Sequence, residues 1–191
     1  RGRGAASTLA AYALRYARID AQLFSSRPAT LPLEAYWSMP KPSGYGVENR
    51  FTDGYLVYGR SQGRWAAYWD NRYQYDPTEL VVVPVDDPGA TRSLSLLHSA
   101  ERIEVFGQNV VVDGYRGNSG LSVSTIDLKR APAIADVEYL PSVIESEGRS
   151  HAFNGRLDAG GGGVFGLPTV FKQKSWADYS DTSNVHFFAV D

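Results

Sequence analysis

With 191 residues, 43% of them hydrophobic and 21% charged, the chain can bury a core and is sized for one large domain or a domain plus an arm. Its net charge of −2 offers no basic field to nucleic acid, and no apolar run reaches the ~20 residues that span a bilayer as a helix. It has no cysteine, which excludes disulfides and thiolate sites without choosing a compartment; a secreted or cell-envelope setting is slightly preferred to a cytoplasmic one.

Residues 1–27 predict an N-terminal helical arm. Ser7 or Thr8 can cap it, and the stretch is rich in alanine. Leu9, Tyr12, Tyr16, Ile19 and Leu23 recur at spacings of three and four, which makes an apolar stripe over Ser7–Phe24. Pro28 ends it. Residues 28–47 hold Pro28, Pro32, Pro40 and Pro42 with Gly44 and Gly46, and read as an extended connector. Tyr36 and Trp37 sit in its middle and are expected to press on the β domain or on a partner.

From residue 48 to 191 the pattern is strands. Tyr55–Gly59 and Arg64–Trp69 flank a turn, and Asp70–Pro77 forms a tyrosine-rich loop whose Tyr73 and Tyr75 are candidate partner contacts. Glu79–Asp86 follows, with Pro84 implying an edge or a bulge. Ser93–Leu97 is the next short strand. The stretch from Glu101 to Leu128 contains three β-runs, Arg102–Phe106, Asn109–Tyr115 and Leu121–Leu128, separated by Gly107-Gln108 and by Arg116–Gly120. Alternation puts Val110 and Val112 on one face and Val111 on the other. Ile134–Leu140, Ser146–Phe153, Val164–Phe171 and Asn184–Val190 complete the series, with Gly160–Gly163 as a turn.

The strands repeat. Leu80–Leu97 aligns with Leu121–Leu140, placing Asp86 and Asp127 41 residues apart. Phe51 with Tyr55–Gly59 matches Phe106 with Val110–Gly114, and Arg102 with Phe106 matches Arg149 with Phe153. A period of about 40–50 residues with four strands per unit marks blades that bury their faces on one another. Over residues 48–191 the chain resembles bacterial β-propellers distantly related to WD-type repeats, although no unit carries a Gly-His pair or a terminal Trp-Asp. The resemblance implies about three propeller-like blades of four antiparallel strands. The alternative is a β-sandwich. Three blades are fewer than the four to eight of a closed ring. The missing blades are therefore expected from another protein chain or from a longer precursor, as the opening Arg1-Gly2-Arg3-Gly4 and closing Phe187–Asp191 also suggest.

No catalytic residue is assigned. Glu145, Glu147, His151 and Asp158 lie within fourteen residues and are the candidate ligands of a divalent cation, the one cofactor considered. They lack HExxH spacing. Asp53-Gly54, Asp86-Asp87 and Asp113-Gly114 read as turns. His98 stands beside Ser99, but no GxSxG elbow is present. The expected role is a binding or assembly module; the alternative is a propeller-type hydrolase or lyase acting near Glu145, Glu147 and His151.

Overall fold

The structure, a computed structural model, describes residues 13–23, 30–42, 46–62, 77–146, 153–171 and 183–191. Its regular elements are β-strands and short 3-10 turns, and among the described residues there is no α-helix. The chain divides into two units, residues 1–41 and 42–191.

In the first unit, β1 (Leu14–Ala17) pairs antiparallel with β2 (Tyr36–Met39), and Ala21–Leu23 is a single 3-10 turn. The helical arm expected over Ser7–Phe24 is therefore not formed over the described residues 13–23; residues 7–12 and 24 lie outside them. The physical reason is that a short isolated helix is marginal in water. Pairing with β2 instead satisfies the backbone and brings Tyr16 opposite Trp37, with ring centroids 6.0 Å apart. Aromatic side chains favour such cross-strand contacts.

The second unit stacks three antiparallel sheets. The first is ordered β3 (Gly46–Phe51), β4 (Tyr55–Ser61), β5 (Thr78–Pro84), β6 (Arg92–Leu96). The second runs β7 (Arg102–Phe106), β8 (Asn109–Tyr115), β9 (Gly120–Asp127), β10 (Ala133–Pro141). The third contains β11 (Val143–Glu145), β12 (Asn154–Leu157), β13 (Gly163–Phe171) and β14 (Ser183–Val190). The expected strand Arg64–Trp69 and most of Ser146–Phe153 lie outside the described residues.

Two cores separate the three layers. Val57, Leu80, Val82 and Leu96 of the first sheet pack on Ile103, Val110, Val112 and Ile126 of the second. On the opposite face, Phe106, Val111 and Val123 pack on Phe165 and Val190, and Tyr115 and Leu121 pack on Val143 and Leu167. Val110 and Val112 thus share one face and Val111 the other, as alternation demands. The central sheet is covered on both sides, one layer more than a sandwich holds. The described sheets do not close into a ring.

Two prolines find different answers to the missing N–H. Pro84 is not on an edge strand: β5 lies between β4 and β6, and Pro84 sits at its end, beyond the last residue paired with β6. In the third sheet, β11 and β12 lie end to end along one side of β13, while β14 occupies the other. Pro168 falls between them in register, and its carbonyl accepts from Ser146 N. A strand residue presents N–H and C=O to the same side. The absent donor therefore points at the break, where the described strands place no ladder partner.

Asp113 and Gly114 are not turn residues. They lie inside β8, paired with Val123 and Ser122 of β9. The apolar run before them carries the strand through, because both faces of β8 are buried.

Candidate functional site: a charged cleft on the leading strands

Each sheet begins with a strand that carries charge. Alternation places Glu48 and Arg50 on one face of β3, and Arg102 and Glu104 on one face of β7; Glu145 ends β11. All five side chains line one cleft of about 400 Å³, together with Asn49, Ser61, Glu101, Ile103 and Tyr115. The sequence disperses these residues over almost a hundred positions.

The cleft walls are tied across sheets. Arg50 Nε donates to the Ile103 carbonyl at 2.9 Å, and its Nη2 meets Glu104 Oε2 at 2.5 Å, which binds β3 to β7. Glu101 accepts from Gln62 N at 2.6 Å and from Ser99 Oγ at 2.7 Å through one oxygen, and from Ser61 Oγ at 2.9 Å through the other. One carboxylate thus joins β4 to the lead-in of β7. Glu48, partly buried on the same wall, has its carboxyl pushed above the usual range by loss of solvent first and then by Glu101, against Arg102 and Arg50.

Deeper lies a triad. Arg102 Nη2 bonds Glu145 Oε1, and its Nε stands 3.4 Å from Asp113 Oδ2. Burial is the first cause that raises the Asp113 carboxyl well above its ordinary value, and Glu145 is the second; Arg102 opposes both.

Of the residues expected from sequence to carry function, Glu145 is therefore ion-paired with Arg102. Asp158 Oδ1 accepts from Gly160 N at 2.8 Å and from Gly162 N at 3.1 Å, shaping the glycine turn. Glu145 pairs with Thr169 and Leu157, next to Asp158, pairs with Gly163, so about 20 Å of β13 separates the two carboxylates. Glu147 and His151 lie outside the described residues, as do Tyr73 and Tyr75. Among the described residues no three acidic or histidine side chains converge on a cation position. Tyr36 and Trp37 are exposed on β2.

His98 has a serine partner, but Ser124 rather than its neighbour. Its Nε2 lies 2.6 Å from Ser124 Oγ and its Nδ1 2.7 Å from the Ser99 carbonyl. A carbonyl only accepts, so Nδ1 holds the proton and Nε2 accepts from the serine. Both side chains are buried, which gives a substrate no approach. The pair is structural. Burial, outweighing the Ser99 bond, lowers the His98 pKa to about 4. The folded value lies below the unfolded 6.5, so stability is full above that pH and is lost as pH falls from 6.5 toward 4. The loss by the end of that window is about 3 kcal/mol. Urea unfolding at several pH values should show this slope in the difference between the parent and His98→Asn, in which the carboxyl contributions cancel.

Sequence reasoning missed Arg102, Asp113, Glu101 and Ser124. One signal was available: an aspartate at the end of the run Val110–Val112, whose neighbours on both faces are apolar, is a buried charge that must find a cation.

Comparison with protein-family models, with curated proteins and with solved structures finds no match.

Proposed function

We propose that this chain is a binding or assembly module built of propeller-like blades, and that further blades, from another chain or another copy, complete it. The observation that carries this reading is the outward face of the third sheet. Phe188 turns inward and stacks on Phe165 at 4.9 Å. Phe187 turns the other way, over Gly166, and is 74% exposed. Val185 and Val164 are exposed on the same face by alternation. In the central sheet the equivalent apolar faces are both buried against neighbours. An apolar blade face that no described element covers is the surface on which the next blade of a propeller would pack.

β14 adds a second support. Among the described residues it pairs only with β13, and Ser183–Val190 carries no lysine, proline or acid to blunt its other edge. Tyr36 and Trp37 of the first unit remain the candidate contacts for a protein partner.

Native mass measurement tests the reading. The parent is expected in assemblies larger than its own 21.0 kDa, and Phe187→Glu is expected to shift them to the single chain. A parent that stays a soluble 21.0 kDa monomer at high concentration overturns it.

A further inference from the structure

At one end of the first two sheets, three turns surround a second cleft of about 240 Å³. The β3–β4 turn contributes Asp53, the β7–β8 turn Gln108, and the exit of β9 Lys129. Tyr55, Val105 and Leu128 supply the apolar part of the wall.

The frame of this cleft is fixed. Tyr55 and Leu128 are half-buried and pack against the core between the two sheets. Thr52 N donates to the Tyr55 carbonyl at 2.8 Å and Val85 N to the Gly54 carbonyl at 2.9 Å, which holds the first turn from both sides. Phe106 pairs with Asn109 across Gly107-Gln108, and Gly107 takes the positive φ of 64° that so short a turn needs at its first position. Lys129 N donates to Asp127 Oδ1 at 2.7 Å, which sets the exit of β9. A frame set before a ligand arrives keeps the entropy cost of binding low.

The polar groups on that frame are unused. The side chains of Asp53, Gln108 and Lys129 make no hydrogen bond or ion pair with any described residue. Asp53 and Lys129 carry opposite charges on one small cleft and do not pair, whereas the same two sheets pair Arg50 with Glu104. A carboxylate only accepts hydrogen bonds, an ammonium only donates, and an amide does both. A hydroxyl also does both, so a ring carrying several hydroxyls answers all three groups at once. The C–H face of such a ring matches the apolar wall, with Tyr55 as its aromatic member. The cleft is smaller than the roughly 300–1,000 Å³ of drug-sized sites, which suits a single ring.

We propose that this cleft binds one sugar ring. Asp53 accepts from its hydroxyls, Lys129 donates to them, Gln108 does both, and the C–H face of the ring lies against Tyr55. A free amino acid is the rival ligand. Its ammonium and carboxylate answer Asp53 and Lys129, but they leave Gln108 without a partner. The site does not depend on what completes the blades.

Saturation-transfer NMR tests the proposal, because it reads the ligand and works for an assembly of any size. The probes are glucose, galactose, mannose and, for the rival, L-alanine. At least one sugar is expected to take up saturation at its ring C–H protons and to reach a plateau with concentration. Its Kd is expected to weaken about tenfold in Asp53→Ala and about tenfold in Lys129→Ala, each losing a hydrogen bond to a charged group. Both positions are exposed, so the variants keep the fold. Asp136→Ala removes an exposed acid from β10 and should bind as the parent does. No transfer to any of the three sugars overturns the proposal, and so does transfer to L-alanine alone. A sugar Kd unchanged in either Asp53→Ala or Lys129→Ala also overturns it.

Discussion

Gly114→Ala is expected to lose more than about 4 kcal/mol of stability, the range that a clash in a closed core reaches. Gly114 lies inside β8, where the backbone of residues 98–101 passes beside it. A methyl group there would sit 1.7 Å from the Ser99 carbonyl oxygen and 2.5 Å from its carbon. Neither side can retreat. Ser99 N donates to the Tyr115 carbonyl at 3.0 Å, Ser99 Oγ accepts from Tyr115 N at 3.0 Å, and Glu101 N donates to the Asp113 carbonyl at 2.9 Å. On its other edge β8 is held by β9. The same Ser99 carbonyl accepts from His98, so pushing it away also frees a buried imidazole. Gly89→Ala is the control, since its methyl meets only the Asp87 side chain at 3.2 Å. Urea denaturation of both variants decides the matter. A Gly114→Ala protein as stable as the Gly89→Ala control would show that the strand and the passing segment are not in contact.

The second unit was largely readable from the chain because its strands announce themselves locally. Asn109–Tyr115 alternates between two buried faces, and the turn residues on either side mark where it stops. Leu14–Ala17 gave no such signal. Its alanine-rich surroundings favour helix, and what decides its state is a partner strand about twenty residues away at Tyr36–Met39. The cleft was hidden for the same physical reason. Glu48, Arg102 and Glu145 look like unrelated surface charges until three sheets stack and bring their first strands together. Pairing such as Arg102 with Glu145 across 43 residues is a property of the packed layers. A spacing rule for metal ligands searches too narrow a window to find it. Asp158 illustrates the converse: it lies near Glu145 in sequence, yet the length of β13 holds them apart.

Val111→Asp is expected to abolish the stable fold at neutral pH. Val111 is 1% exposed and lies in the core between the second and third sheets, against Phe106, Val123, Phe165 and Val190. Among the described residues that form this core there is no cation to pair with an ionised carboxylate. Arg102 is already shared by Asp113 and Glu145. Burying an unpaired charge costs several kcal/mol, of the same order as the roughly 5–15 kcal/mol that holds a domain together. The loss depends on pH in a predictable direction. Burial raises the new carboxyl above its unfolded value, so the damage is least below about pH 4, where the group is neutral in both states. It grows as pH rises through the folded value. Val105→Asp provides the contrast, since Val105 is exposed on β7, away from the outward face of the third sheet, and the change there should cost less than about 1 kcal/mol. Thermal and urea unfolding of the two variants at acid and neutral pH measures the difference. If Val111→Asp unfolded at neutral pH with the parent's midpoint, β8 could not be the central strand of a sheet covered on both faces.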